Sequence, residues 1–393
     1  MKRIFITGFA LLGLMRAHAQ EPSADSTAYK AKKLKIEEIN LISSYYKQDG
    51  NNAAVTGGIG TQELTDISNN LDVKLVKYGE TGIKHNFTIE AGIDQYTSAS
   101  SDMVDLQANS SASSSDIRFY PSLSYSRENE EKGTTLGVGV SSSTEYDYQS
   151  FGGNINYAKK TKDRNGEFTA KLQTYLDQVK LITPIELRSA NGYGGTEGRN
   201  TFAGALGYSQ VINQNFQVMV MADIVTQQGY LSLPFHRVYF SDGSVHQEKL
   251  PDSRLKIPLG LRASYFLGDN IIIRAYYRYY SDDWKLTSHT ADLEVPVKIS
   301  PFFSISPFYR YYTQTAAKYF DAYKKHDSQD EFYTSNYDLS KFDSSFYGAG
   351  FRFNPVNGVF GIKHFNMLEI RYGHYTRSNS LTSDIISINI RCR

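Results

Sequence analysis

Leu255-Lys256-Ile257-Pro258-Leu259-Gly260-Leu261-Arg262-Ala263-Ser264-Tyr265-Phe266-Leu267 is the stretch on which the fold turns. Apolar side chains stand at 255, 257, 259, 261, 263, 265 and 267, and mostly polar or small residues fall between them. A period of two sends the two sets to opposite faces of an extended strand. Strands of a soluble sandwich run to about 5–6 residues. A segment twice that long, apolar along one whole face, matches a tilted strand that crosses a bilayer. The pattern recurs in Phe216, Val218, Val220, Ala222 and Ile224, with Gln217 and Asp223 on the other face. It recurs again at the end of the chain, where Ile386, Ile388, Ile390 and Cys392 oppose Ser387, Asn389, Arg391 and Arg393.

Extended along the chain, this reading predicts strands at 35–46, 64–78, 83–97, 115–128, 134–147, 150–160, 166–180 and 200–213. It continues with 216–229, 254–267, 270–282, 285–298, 303–315, 344–354, 364–377 and 382–392. The longest connections, near 47–63, 98–114, 181–199, 230–253 and 316–343, all follow odd-numbered strands. Short ones such as 79–82, 213–215 and 268–270 follow even-numbered strands. Long loops therefore gather on one side and short turns on the other, which is the asymmetry of outer-membrane barrels. The expected fold is all-β: a single antiparallel transmembrane β-barrel of about 16 strands, with short periplasmic turns and long external loops. Fourteen strands is the alternative count. Two features strain the pattern. Alternation in the first segment shifts between Ile36 and Ile39, and Pro121, Pro258, Pro296 and Pro307 fall inside strand segments, where proline removes a ladder donor.

Composition agrees. The 393 residues include 30 Tyr, 22 Phe, 30 Gly and only 10 Pro, a mixture that favours strands and tight turns. A net charge of +1 leaves no electrostatic footprint for nucleic acid. Cys392 is the single cysteine, so neither an intrachain disulfide nor a thiolate-rich metal site can form. Past residue 20 no apolar run reaches the length of a membrane-spanning helix, which excludes a helical membrane protein and nothing more. Lys2 and Arg3, the apolar run Ile4 to Leu14, and Ala17-His18-Ala19 read as a signal peptide at 1–19 removed after Sec-type export. Residues 20–34 are expected to form a polar periplasmic tail, and 35–393 the barrel, located in the cell outer membrane.

Other stretches carry a resemblance. They are Tyr45-Tyr46-Lys47-Gln48-Asp49-Gly50-Asn51-Asn52 leading into Val55-Thr56-Gly57-Gly58-Ile59-Gly60-Thr61, then Gln95 to Asp102, Ser143 to Tyr148 and Arg371-Tyr372-Gly373-His374-Tyr375. Through them the chain resembles a domain-of-unknown-function family of exported Gram-negative proteins thought to be outer-membrane barrels. The resemblance covers almost the whole mature chain. It implies a fold and a location, and brings no substrate or catalytic residues with it.

If the apolar faces meet lipid, the interleaved residues line the lumen. An acidic wall is expected from Asp72, Glu90, Asp94, Glu145 and Asp177, with Lys74, Arg118 and Lys171 among them. A basic wall is expected from Lys256, Arg262, Arg274, Arg278, Arg310, Arg352 and Arg371, joined by Lys298 and Arg391 and opposed by Asp223, Asp292, Glu294 and Glu369. Barrels of this size enclose an aqueous channel. One reading is therefore a water-filled pore that selects small polar or anionic solutes, and the other is a lumen filled by charges paired with one another. Asp49, Gly50, Asn51 and Asn52 are the candidate loop constriction; they lack the acidic pattern of a Ca²⁺ loop. No cofactor, metal site or catalytic group is expected, because His85, His236, His246, His289, His326, His364 and His374 show no close ligand spacing. His374 with Ser378 or Ser387 is the remote enzymatic alternative. The Tyr residues at 277, 279, 309 and 311 alternate outward, as an interfacial aromatic girdle does. The expected function is a passive channel or transport barrel for small polar or anionic solutes. Its main rival is a closed structural barrel anchoring a surface or periplasmic complex. Outer-membrane lipid, a small polar solute and a periplasmic or surface protein are the partners these readings imply.

Overall fold

A computed structural model of the chain describes residues 33–79, 82–97, 115–188 and 194–393. The signal peptide expected at 1–19, most of the tail and the connection at 98–114 lie outside the described residues. Sixteen antiparallel strands follow one another in chain order around a closed barrel. They are β1 (Lys35–Asp49), β2 (Leu64–Tyr78), β3 (Ile83–Thr97), β4 (Ser115–Asn129), β5 (Thr134–Thr144), β6 (Tyr148–Lys160), β7 (Gly166–Lys180) and β8 (Thr196–Asn213). The circuit continues with β9 (Phe216–Gly229), β10 (Ser253–Leu267), β11 (Ile271–Asp282) and β12 (Thr287–Glu294 and Val297–Ser300). It ends with β13 (Phe303–Gln314), β14 (Phe342–Phe353), β15 (Phe365–Arg377) and β16 (Leu381–Cys392). The ring closes where β1 pairs with β16, from Ile39 opposite Cys392 to Asp49 opposite Thr382.

The irregularities have local causes. The shift in alternation near Ile36 is a bulge: β1 slips against β2 between Ile36 and Glu38. β1 also runs past the expected end at 46, because Lys47, Gln48 and Asp49 find partners in Asp384, Ser383 and Thr382. Pro296 breaks β12, and Val295 on the same break donates its N–H to the carbonyl of Pro307 on β13 (2.9 Å). At Pro258 the β9–β10 ladder skips from Lys256–Val225 to Leu259–Ala222, as expected of a residue without an N–H.

Outward faces carry the apolar set. Leu172 is 66 % exposed and Phe151 58 %, and Ile155, Leu206, Val220, Leu259 and Ile386 stand out in the same way on their strands. Such a continuous apolar exterior is untenable in water and is what a closed barrel offers to lipid. No helix among the described residues is long and apolar enough to cross a membrane. The molecule is a barrel of the outer-membrane type.

Candidate functional site

On the strands, register sends the residues of both expected charged walls to the inner face, while Glu145 lies just past the end of β5, which stops at Thr144 rather than 147. Asp72 pairs across with Glu90, Arg118 with Asp94, Arg278 with Gly260, Arg310 with Asp292 and Arg352 with Glu369. Once inside, the charges pair within each wall. On the acidic side Arg118 lies 3.5 Å from Glu145 and 3.9 Å from Asp94, and Lys74 lies 3.2 Å from Glu38. On the basic side Arg310 meets Asp292 at 2.8 Å, and Arg352 meets Glu369 at 2.6 Å. Arg371 and Arg274 share Glu294 at 2.9 and 3.5 Å. Lys256, Arg262 and Arg278 make no such pair among the described residues; Arg262 and Arg278 instead lie over the rings of Tyr276 and Tyr280. The arginine side chains at 274, 310 and 352 stay about half exposed inside the barrel. Water therefore reaches this wall.

The loop end is built differently. Connections 50–63 and 230–252 and the described part of 181–195 bring together Val55, Ile182 and Phe235, all buried, and 315–341 joins them through Thr334 on Glu248 and Tyr333 on Lys249. Within 230–252 a hairpin pairs Arg237–Tyr239 with Val245–Gln247. Arg237 is 1 % exposed. Its guanidinium holds both carboxylate oxygens of Glu186 and donates to the carbonyl of Val55 at 2.7 Å. That bonding holds the Glu186 carboxyl below its ordinary range. Glu248, also buried, accepts from the Leu233 N–H (2.6 Å) and the Thr334 hydroxyl (2.5 Å). Phe240 packs against His246, His326 and Tyr333 with ring centroids 4.8 to 5.7 Å apart. Gly57 and Gly58 adopt φ of +80° and +86°, and a Cβ on Gly58 would sit 2.7 Å from the carbonyl oxygen of Ser335.

Topology gives these contacts their meaning. The segment holding Val55 follows β1, and the hairpin holding Arg237 follows β9, on the opposite wall of a sixteen-stranded ring. A contact between them has to cross the mouth. The four connections thus form a cap that bridges the loop end.

Of the candidate constriction, Asp49 is the last residue of β1, Gly50 accepts from the Gln62 N–H (2.8 Å), and Asn52 donates to the carbonyl of Asn379 (2.6 Å). Asn51 lies between them on the same rim. This segment stays against the β15–β16 turn, and it is the following stretch, 53–58, that reaches across. Sequence reasoning missed Arg237 and Glu186, whose partners lie in other loops, and Glu248, which accepts from Leu233 in its own connection and from Thr334 in another. It also missed Arg199, 3.3 Å from Asp177, because β8 begins at Thr196 rather than 200. Asp116, Glu145 and Asp147 bring carboxylate oxygens within 4.8 Å of one another. Asp116 there accepts from the Ile117 N–H, and Glu145 from the Tyr96 hydroxyl. His374 faces outward, bonded to Asp384 at 2.7 Å, while Ser387 lies on the inner face, so these two do not meet.

The family described as "Protein of unknown function (DUF3570)" matches residues 1–379. The chain belongs to this family. No curated protein matches this DUF3570 chain. Among solved structures it is similar to the ferric enterobactin receptor of Pseudomonas aeruginosa, at 10 % identity and TM-score 0.48 over 87 % of this chain. The match spans 54 % of that receptor. It is also similar to OccAB1 of Acinetobacter baumannii (8 %, TM-score 0.46, 90 % of this chain and 95 % of that one). A third is OccK9 of Pseudomonas aeruginosa (8 %, TM-score 0.44, 91 % and 98 %).

Proposed function

We propose that this DUF3570 protein is an outer-membrane channel for small polar or anionic solutes, exported by a signal peptide at 1–19 and closed at its loop end by its own cap. The observation that carries this is the combination of a water-accessible charged wall with a bridged mouth. A lumen meant only to be filled would bury its arginines, whereas those at 274, 310 and 352 remain half exposed. A mouth meant to stand open would not hold Arg237 on Glu186 and Val55 across it. Opening of the cap then admits solute, and Arg262 and Arg278, with no carboxylate within ion-pair distance among the described residues, bias the lumen toward anions.

The interlocked cap also favours a second reading, a permanently closed barrel that anchors a surface or periplasmic complex. Planar-bilayer recording separates the two. The channel reading expects low or intermittent conductance from the native protein, a clear rise in Arg237→Ala, and an anion preference that falls when Arg274, Arg278 and Arg310 are neutralised. Silence from both proteins, each shown to be folded, would leave the anchoring reading standing.

A further inference from the structure

We infer that the inner wall formed by β12 to β15 carries a binding site for a small aromatic monocarboxylate. This names the solute for the channel proposed above and rests on that reading only for the ligand's passage, not for its binding. A cavity of about 240 Å³ opens there between Asp292, Glu294, Phe308, Arg310, Phe346 and Arg371. Its floor is apolar. The rings of Phe308 and Phe346 lie 5.1 Å apart, tilted by 48°. Ring atoms of both approach glycines: a Cβ on Gly373 would come within 2.5 Å of the Phe346 ring, and one on Gly348, already against the Tyr372 carbonyl oxygen, within 2.9 Å of Phe308. A side chain at Gly373 would have to displace the Phe346 ring, and one at Gly348 would meet backbone before it met Phe308.

Beside this floor stand two guanidiniums that are only partly used. Arg310 gives its Nε–H to Asp292, and among the described residues its terminal nitrogens find no hydrogen-bond acceptor. Arg371 gives one terminal nitrogen to Glu294 and lies 4.9 Å over the Phe308 ring. The free side of such a fork matches a carboxylate in bidentate geometry. Its contact with the phenyl floor sets charge and ring at the spacing they have in one arylcarboxylate. The surrounding ion-pair network contains Arg274, Arg310, Arg352 and Arg371 against Asp292, Glu294 and Glu369. Guanidiniums outnumber carboxylates by one, which suits a single negative charge. A zwitterion fits less well, because each carboxylate already holds an arginine and has none to spare for an ammonium group.

Benzoate is the probe. Isothermal titration of the full-length protein in detergent should show saturable benzoate binding, with acetate (charge without ring) and benzyl alcohol (ring without charge) each at least about tenfold weaker. The double variant Asp292→Asn with Arg310→Gln removes the pair together, so neither partner is left charged and alone and the net charge of the wall is unchanged. Benzoate affinity should drop about tenfold in it. Phe346→Leu, which keeps apolar volume but loses the ring, should weaken benzoate and leave acetate untouched. Unchanged benzoate affinity in the folded double variant, acetate binding as tight as benzoate, or no benzoate binding at all would each overturn the site. Benzoate binding by a protein that never conducts would remove the channel reading and leave the site intact; conduction without benzoate binding would do the reverse.

Discussion

At the turn end, connections such as 130–133 and 161–165 are short, mostly exposed and closed by local bonds, for instance Gly133 N–H to Glu130 and Arg164 N–H to Thr161. At the loop end, connections from opposite walls bury Val55, Ile182, Phe235, Val238 and Phe240 together with Arg237, Glu248 and His326. The wall between them is apolar outside and charged inside, and its order comes from a continuous hydrogen-bonded ladder. The cap is built the other way, with an apolar cluster and paired polar groups enclosed among its loops. Two solvents have shaped one chain. Barrel and cap should therefore respond to different perturbations.

Substitutions can test that separation. The largest effect is expected on the wall. Leu172→Arg puts a charge on the outer face of β7 and should cost about 3 kcal/mol of barrel stability, measured by folding from urea into lipid vesicles. Lys171→Leu, one residue away on the inner face, should change it by less than about 0.5 kcal/mol. Next comes Arg237→Ala, which leaves the Val55 carbonyl and Glu186 without their partner. It should weaken the cap by about 2 kcal/mol, less than a fully buried pair would, since Glu186 keeps some access to water. Hydrogen exchange at 237–239 should quicken while the strands stay protected. Gly58→Ala, forced into a left-handed conformation against Ser335, should cost the cap about 1–2 kcal/mol by the same readout. A global loss of strand protection in either variant would merge the two regions into one unit.

The smallest effect is that of pH. The carboxyl of Glu186 is depressed in the folded cap, so its contribution is complete above the ordinary glutamate value and is lost as pH falls through the lower folded one. Exchange at 237–239 should rise below about pH 4, and Glu186→Gln should flatten that step. A step that survives in Glu186→Gln would assign the acid sensitivity to another carboxyl.

The barrel was legible in the sequence because a ladder with period two writes itself into every strand. Even the flaw between Ile36 and Ile39 marked a real bulge, and Pro296 a real break. The inward residues were legible for the same reason, but their partners were not. Whether Arg371 meets Glu294 or another carboxylate depends on strand tilt and side-chain reach, which alternation does not encode. The cap was illegible: Arg237, Glu186 and Val55 come from three separate connections, and loops carry no period from which to infer contact. Its hairpin at 237–247 was hidden within a connection read as one long loop.

The seam between β1 and β16 carries a further consequence, for assembly. It joins residues from the two extremes of the strand order, Ile39 with Cys392 and Asp49 with Thr382. Until β16 is in place, the growing sheet has two unpaired edges, each a template for the wrong strand. The pairing that removes both edges has the greatest sequence separation in the molecule and bears the largest loop-closure entropy. Closure of this barrel is therefore a single late event, and partners that shield strand edges before it matter as much to the protein as anything its lumen binds afterwards.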